Sequence, residues 1–556
     1  MPTSTELIGL AEAWVAEDPD PQTRSELAAL IEAARDSDSA ALTDLADRFS
    51  GLLEFGTAGL RGALGAGPNR MNRVVVIRTA AGLTAYLKER VDPEPTVVIG
   101  FDARHNSDVF ARDTAAVVTA AGGRALVLPR PLPTPVLAFA IGHLGADAGV
   151  MVTASHNPPH DNGYKVYLGD GSQIVPPADS EIATHIGAVR SAADVPLATN
   201  GWQTLDDRLL DRYIEAAAAV VAPDGPRDVS IVHTALHGVG TDTVLAAFEA
   251  AGFPQPQAVL TQSAPDPEFP TVSFPNPEEP GAIDAALALA ERVQPDLVIA
   301  NDPDADRCAV AVPGPDGWRM LRGDEVGVLL GQHLIDRGID PSGERTVLAR
   351  SIVSSRLLGA MAEGAGLPAV ETLTGFKWIG RVPGLRFGYE EALGYCVDPG
   401  TVPDKDGITA ALLVAELAAT LKQQGRTLSD VLDDLALVHG VHQTDAFSVR
   451  VRDLALIAPV LERLRHTPPT ELGGVAVLSA EDLALGAGGL PPTEGLRYLL
   501  ADQTRVIVRP SGTEPKLKVY LEAVVPVERA ELTTARAEAS RRLASVRATM
   551  EELTRA

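Results

Sequence analysis

Short, apolar, largely β-branched runs alternate along this chain with longer stretches in which apolar positions recur every three or four residues. Thr96–Phe101 (T-V-V-I-G-F), Ala125–Leu128 and Ala148–Ala154 read as strands. Val74–Tyr86 and Val109–Ala121, between them, suit helices. β-rich runs separated by helical stretches predict βαβ units and a largely parallel sheet. The same grammar returns with strands Val229–His233 and Leu297–Ala300 and helices Asp242–Ala251 and Ala282–Val293, and once more over 324–435. Residues 3–48 read as helical. Thr3 and Glu6 have capping-box spacing, and Leu27, Leu30, Ile31, Leu42 and Leu45 fall at helical intervals. A Gly-rich turn region, Phe55-Gly56-Thr57-Ala58-Gly59-Leu60-Arg61-Gly62, follows. The last segment differs: Phe447–Arg452, Val475–Leu478, Arg505–Arg509 and Leu517–Leu521 read as strands before one long helix over 527–554, an α+β pattern. Boundaries near 206, 321 and 440 divide the chain into domains 1–206, 207–320, 321–440 and 441–556.

Composition narrows the class. The 556 residues suffice for several domains, each able to bury a core without disulfide or metal staples. Apolar residues are 45% and aromatics only 4%, so the core must rest on Ala, Val, Leu and Ile. A formal charge of −27 argues against a nucleic-acid binder or adsorption on an anionic membrane. Its plain consequence is solubility, and any anionic substrate needs a locally positive site. Cys308 and Cys396 form neither a metal-binding pair nor a disulfide framework, which fits a reduced, cytoplasmic protein. The acidic N-terminus does not read as a signal peptide. The least polar long stretch, Leu132 to Ala146, is 15 residues and holds Pro133, Pro135 and His143, too short and broken to span a membrane.

Four constellations carry possible chemistry. Asp302-Pro303-Asp304-Ala305-Asp306-Arg307 lies between the apolar runs Leu297–Ala300 and Cys308–Val312. Three carboxylates at alternate positions repel one another unless a cation sits among them. Hard oxygen ligands suit Mg²⁺ or Ca²⁺. An EF-hand is excluded, because its Gly and Glu positions hold Arg307 and Pro313. The plainer reading is a solvated acidic turn. Flanking strands favour a site instead, since α/β sites lie at the ends of buried strands.

The second is Thr153-Ala154-Ser155-His156-Asn157-Pro158-Pro159, followed by Asp161-Asn162-Gly163-Tyr164-Lys165. A strand delivers Ser155 to a turn rich in Asn, Pro and Gly. No G-x-S-x-G elbow surrounds it. In an extended segment the side chains of Ser155 and His156 point apart. Alone, this peptide reads as a structural turn. The third, Arg505 to Tyr520, has four basic residues and one acid. Arg509, Ser511, Gly512, Thr513 and Lys518 form a recipe for a phosphate: turn amides, hydroxyls and a guanidinium. The alternative is an ordinary basic hairpin. The fourth is Gly388-Tyr389-Glu390-Glu391-Ala392-Leu393-Gly394-Tyr395, with Thr374-Gly375-Phe376-Lys377-Trp378 before it and Asp404-Lys405-Asp406-Gly407 after. Its carboxylates suit sugar hydroxyls, although alone an exposed acidic turn is the favoured reading. Gly238-Val239-Gly240 follows a strand, but Thr243 replaces the third Gly of a dinucleotide fingerprint, so no such site is read there.

Together, in order and one per domain, these motifs resemble the α-D-phosphohexomutase superfamily. T-A-S-H-N-P with N-G-Y-K-V-Y is similar to its phosphoserine loop and D-P-D-A-D-R to its metal loop. E-E-A is similar to its sugar loop and R-P-S-G-T-E-P-K to its phosphate loop. F-G-T-A-G-L-R, T-G-F-K-W and E-E-A-L-G-Y are most similar to its phosphoglucomutase-2-like branch. Where other branches carry Ser two places after the first sugar-loop Glu, this chain has Ala392.

The resemblance implies a heart-shaped four-domain fold: three α/β domains with mixed sheets, a C-terminal α+β domain, and the active site in the central cleft. It implies a phosphosugar mutase interconverting hexose 1- and 6-phosphates, glucose first, then mannose or pentose. A phosphoserine at Ser155 and a sugar 1,6-bisphosphate intermediate or activator would carry the reaction. Mg²⁺ would be held by Asp302, Asp304, Asp306 and a phosphoserine oxygen. His156, Lys165, Arg61 and Lys405 would line the centre. Arg307, Thr374, Gly375, Lys377, Glu390 and Glu391 would contact the sugar, while Arg509, Ser511, Gly512, Thr513 and Lys518 hold the non-reacting phosphate. A sugar-phosphate phosphatase and a non-catalytic phosphosugar sensor are the competing classes. Partners are small-molecule sugar phosphates, and no feature of the sequence sets an oligomeric state.

Overall fold

The computed structural model describes residues 3–53, 59–340, 342–450, 456–511, 516–528 and 531–555. The chain forms two compact units: Met1–Met320 with Asp398–Ala415, and Leu321–Val397 with Glu416–Ala556.

The first unit opens with helices Ser4–Glu17, Pro21–Arg35 and Ser39–Arg48, and the Thr3–Glu6 capping box is formed. Its first sheet contains β1 (Leu60–Ala63), β2 (Thr96–Phe101), β3 (Arg124–Val127), β4 (Ala148–Val152), β5 (Asp161–Leu168) and β6 (Gln203–Thr204), in the order β1-β5-β4-β2-β3-β6. The strands from β4 through β6 run parallel, and β5 and β1 add antiparallel neighbours. Two expectations are corrected here. Leu60–Ala63 is a strand rather than turn, and the Asn162-Gly163 segment lies inside a long strand. Gly163 is needed there because a Cβ would sit 2.5 Å from the Thr153 carbonyl oxygen.

Helix Thr134–Leu144 packs on β2 and β4 and against helix Arg208–Ala218. It is buried from Thr134 to Ile141. Its prolines fall at its start, where a missing N–H and a fixed φ are tolerated.

The second sheet contains β7 (Ile231–Thr234), β8 (Gln257–Ala258), β9 (Leu297–Ala300), β10 (Ala309–Gly314) and β11 (Gly317–Met320). β8, β7 and β9 are parallel, and β10 and β11 return antiparallel. β2, β4, β7 and β9 are buried throughout or nearly so, as parallel strands covered on both faces require, and β7 buries His233 and Thr234 along with Ile231 and Val232.

The second unit has a four-stranded sheet of β12 (Val347–Ser351), β13 (Ala369–Thr372), β14 (Leu385–Glu390) and β15 (Gly394–Cys396), ordered β13-β12-β14-β15. Only β15 is antiparallel. Its other sheet is wholly antiparallel: β16 (Val441–Arg450), β17 (Glu471–Leu472), β18 (Val475–Asp482), β19 (Leu496–Leu500), β20 (Arg505–Pro510) and β21 (Lys516–Val525), ordered β16-β21-β20-β19-β18-β17. Helix Leu532–Leu553 lies on β16 and β21 and buries Ala535, Ala539, Leu543, Val546 and Met550 along one stripe. Three mixed sheets with helices and one antiparallel sheet with a helix match the expected fold class. Among the described residues, no helix is long and apolar enough to cross a membrane.

Candidate active site

The parallel strands β2, β4 and β9 end in Asp102-Ala103-Arg104, Thr153-Ala154-Ser155 and Asn301-Asp302, so polar residues gather at carboxyl ends, where open α/β sheets place their sites. Ser155 is buried and left-handed, with φ 53°. Such a backbone costs a non-Gly residue about 1–3 kcal/mol and persists only where neighbours enforce it. Arg104 supplies the restraint. Its buried guanidinium donates to the carbonyls of Ser155 (2.6 Å), Asn157 (2.5 Å), Pro158 (2.7 Å) and Asp161 (3.1 Å). It also faces Asp102 at 3.3 Å and lies over the Phe269 ring. The Ser155 amide donates to Thr153 Oγ1 at 2.8 Å.

This turn overturns the expectation that Ser155 and His156 point apart. Ser155 Oγ lies 3.1 Å from His156 Nδ1, because the segment is left-handed rather than extended. The same Oγ donates to Asp302 Oδ2 at 2.8 Å. Arg61 reaches the loop through Asn157 Oδ1, 3.1 Å from its Nη1.

Asp302, Asp304 and Asp306 are buried, with one oxygen from each within 4.8 Å of the others. Asp302 Oδ1 accepts the Arg307 amide at 3.1 Å. Asp304 Oδ2 accepts Thr134 Oγ1 at 2.5 Å and Lys165 Nζ at 2.7 Å. Asp306 Oδ2 accepts Lys165 Nζ at 2.9 Å and pairs with Lys405 Nζ at 3.1 Å. Oδ1 of Asp304 and Oδ1 of Asp306 are buried and have no hydrogen-bond partner among the described residues. Orphaned buried carboxylate oxygens are costly, and two of them facing one cluster fit a hard divalent cation.

The electrostatics agree. Burial, then the charges of Asp304 and Asp306, push Asp302 well above the usual carboxylate range. Burial works against the ionised form of Asp304 too, but the charge and hydrogen bond of Lys165, with hydrogen bonds to Thr134 and Asp302, together outweigh it and hold the group low. Asp306 is likewise lowered, with Lys165 and Lys405 overcoming burial and the Asp304 charge. Lys165 is raised, since the two aspartates outweigh its desolvation. Lys165, Lys405 and Arg307 therefore offset the negative charge of the triplet.

Close backbone approaches seat the aspartate loop. A Cβ on Gly238 would lie 2.2 Å from Pro303 Cα, and one on Gly407 would lie 2.2 Å from the Arg307 carbonyl oxygen. The Gly238-Val239-Gly240 signal is thereby explained: these glycines admit the aspartate loop, and the Val239 amide donates to the Pro303 carbonyl at 2.8 Å. Lys405 is placed by its neighbours. Gln173 Nε2 donates to Asp404 at 2.8 Å, and the Tyr213 hydroxyl donates to Asp406 at 2.9 Å. Asp406 also caps the amides of Ile408 and Thr409. Burial pushes the Asp406 carboxyl up to about 6. The Arg307 guanidinium lies 3.9 Å from Asp302 Oδ2 and 3.9 Å from Glu278 Oε2.

In the second unit, Glu390 ends β14, and its Oε1 accepts the Gly375 amide at 2.7 Å. Gly375 has φ 112°. Glu391 Oε2 accepts Ser351 Oγ (3.2 Å) and Ser354 Oγ (3.1 Å). Lys377 is buried beside Trp378, and Thr374 immediately precedes Gly375. Arg509 and Lys518 face each other across β20 and β21, and the Ser511 amide closes the turn on the Lys516 carbonyl at 2.8 Å. Gly512 and Thr513 lie outside the described residues, as do Phe55, Gly56, Thr57 and Ala58. Burial, then Glu391, raise the Tyr520 phenol, while Arg509 lowers it by its charge and a hydrogen bond; Glu390 adds to the rise. Tyr520 therefore lies in the electrostatic field of Glu390, Glu391 and Arg509.

Sequence reasoning missed Arg104, Thr134 and Tyr520. An Asp-x-Arg directly after an apolar strand was the available signal for the first. Nothing local marks the other two.

Models of the phosphoglucomutase/phosphomannomutase domains match four successive stretches: α/β/α domain I over 52–193, domain II over 211–315, domain III over 322–437 and the C-terminal domain over 448–539. The chain is 48% identical over 459 residues to the "Probable phosphomannomutase" of Haemophilus influenzae, covering 82% of this chain and 93% of that one. It is 36% identical over 535 residues to the human phosphopentomutase, covering 86% of each. Among solved structures it is similar to the crystal structure of a "putative phosphomannomutase" from Thermus thermophilus, with a TM-score of 0.69, 26% identity, and coverage of 89% of this chain and 99% of that one.

Proposed function

The chain belongs to the phosphoglucomutase/phosphomannomutase family and is a phosphosugar mutase, and from that premise we propose that Ser155 carries the phosphoryl group between two hydroxyls of a hexose phosphate. The observation that carries this reading is the Ser155 Oγ contact of 2.8 Å with Asp302, in a cluster whose Asp304 and Asp306 each keep one buried oxygen without a hydrogen-bond partner among the described residues. Those two oxygens, an Asp302 oxygen and a phosphoserine oxygen would hold Mg²⁺. When bound, Mg²⁺ supplies Lewis-acid stabilisation of charge on the phosphoryl oxygens.

Phosphate monoesters are inert enough to require acceleration of up to about 10²¹-fold, supplied mainly by positioning and charge stabilisation. The chain's own contributions follow from the geometry. Arg104 holds the loop so that Oγ points at the aspartates. The free sugar hydroxyl attacks phosphorus and gives up its proton, its O–P bond forms as the Oγ–P bond breaks, Oγ takes a proton to become the serine hydroxyl, and a sugar 1,6-bisphosphate results. His156 Nδ1, 3.1 Å from Oγ, is placed to exchange the Oγ proton. The bisphosphate turns over and returns its other phosphoryl group to Oγ. Arg509, Ser511, Thr513 and Lys518 hold the phosphate not being transferred, while Glu390 and Glu391 accept from sugar hydroxyls. Glucose is the first candidate, then mannose, then pentose.

The test is Ser155→Ala assayed with a hexose 1-phosphate, Mg²⁺ and a labelled hexose 1,6-bisphosphate. Wild type transfers label to the protein and yields 6-phosphate without stoichiometric free phosphate; the variant does neither. Wild-type turnover in the variant would reject the covalent route. Ranking glucose, mannose, glucosamine, ribose and deoxyribose 1-phosphates by kcat/KM settles the sugar.

A further inference from the structure

Pro131-Leu132-Pro133-Thr134-Pro135 ends at the first turn of helix Thr134–Leu144 and has no part in the chemistry so far. Thr134 is fully buried. Both its polar donors go to one residue of the aspartate loop: Oγ1 donates to Asp304 Oδ2 at 2.5 Å, and its amide donates to the Asp304 carbonyl at 2.9 Å. The helix gains no side-chain cap from this end, so the hydroxyl is committed to the carboxylate. Pro133 and Pro135 lock their own φ on either side, which stiffens the segment presenting it.

The consequence lies in which oxygen remains. Asp304 Oδ2 takes two donors, and Oδ1 takes none from the described residues. A carboxylate can exchange its oxygens by rotating about its last side-chain bond, and two donors on Oδ2 oppose that rotation. Lys165 cannot fix this orientation alone, because its ammonium is shared with Asp306 at 2.9 Å. Among the described residues, Thr134 is the donor that serves Asp304 and no other ligand. We propose that Thr134 is a positioning residue for the divalent cation: its hydroxyl holds Asp304 so that Oδ1 faces the ion. The inference rests on reading the triplet as the cation site. It links the first helix turn after β3 to the loop after β9, so the phosphoserine-bearing and metal-bearing sheets share one ligand.

The test is Mn²⁺ binding to the EDTA-stripped full chain, with free Mn²⁺ read by electron paramagnetic resonance. Residues that orient a metal ligand usually govern about 10- to 100-fold in affinity. Thr134→Val should therefore weaken Mn²⁺ binding by about 10-fold or more, while Thr134→Ser, which keeps the hydroxyl, stays within about threefold of wild type. The half-activating Mg²⁺ concentration should rise in parallel, with kcat recovering at saturating Mg²⁺. Thr134→Val binding Mn²⁺ like wild type overturns the proposal, and so does Thr134→Ser losing as much as Thr134→Val. Should the valine variant fail to fold, Thr134→Ala takes its place with the same expectation. Wild type failing to bind Mn²⁺ would instead overturn the reading of the triplet itself.

Discussion

Replacing Lys165 by methionine keeps the aliphatic stem and removes one charge from a buried part of the first unit. Nζ lies 2.7 Å from Asp304 and 2.9 Å from Asp306, and the three side chains are 3%, 0% and 2% exposed. Removing one partner of a buried pair costs about 3–5 kcal/mol, because a charge is left without compensation. A second route gives a similar figure. Asp304 can escape a bare buried charge by taking a proton, and its ordinary pKa is 3.8. At pH 7 that is roughly three units of protonation at ~1.36 kcal/mol each, or about 4 kcal/mol. Asp306 keeps Lys405 at 3.1 Å, so its loss is not added in full. The assay is urea unfolding of wild type and Lys165→Met, each in EDTA and in excess Mg²⁺. The expected gap in EDTA is about 3–5 kcal/mol, and Mg²⁺ should close at least half of it by restoring positive charge to the triplet. A gap under about 1 kcal/mol in EDTA would refute the charge-balance argument. A full-sized gap indifferent to Mg²⁺ would show that the lysine acts through packing alone.

His233 and Gly238 give two further predictions. His233 is buried against Asn301, and burial lowers its pKa from 6.5 to about 4. The unfolded chain therefore binds the proton first. Stability is full above pH 6.5 and falls as pH drops toward 4, by about 3 kcal/mol over the 2.5-unit shift. Urea midpoints for His233→Phe should show a shallower loss across this window, and an unchanged slope would contradict the assignment. Gly238→Ala drives a methyl to within 2.2 Å of Pro303 Cα, against backbone that moves only with the aspartate loop. It should cost about 1–3 kcal/mol and weaken Mn²⁺ binding, whereas wild-type stability and affinity would show that the loop has slack.

Much of the fold was legible because burial leaves a mark on sequence. Thr96–Phe101 and Leu297–Ala300 have the same limits as sequence expectations and as strands, since an apolar run bounded by polar residues has no second register. Failures arose where local chemistry competes with tertiary demand. Asn162-Gly163 carries a turn signal, yet Gly163 serves a close strand approach inside β5. Pro133 and Pro135 mark a break in the pattern, and they begin a buried helix. The five residues of β19, Leu496–Leu500, went unread beside a Gly- and Pro-rich stretch. Of the site, the three aspartates carried a local signal, carboxylates at alternate positions between apolar strands, whereas Ser155 read alone as a structural turn and was singled out only by the resemblance of the motifs taken together. Arg104 did not, since its four acceptors begin 51 residues downstream.

By itself, the sequence determined most element types and the fold class, and it offered side chains whose functional groups suit phosphoryl and cation chemistry. Hydrophobic period and functional-group identity are local properties, and they survive without any knowledge of neighbours. The tertiary structure alone decided how those groups are arranged: that Ser155 turns left-handed and reaches Asp302, that Lys165 bridges carboxylates 139 and 141 residues away, and that Thr134 and the lysines occupy one oxygen of Asp304 and Asp306 while the other has no hydrogen-bond partner among the described residues. The physical reason is that orientation at hydrogen-bond range depends on partners brought together by packing, and no spacing along a chain encodes which lone pair is left free.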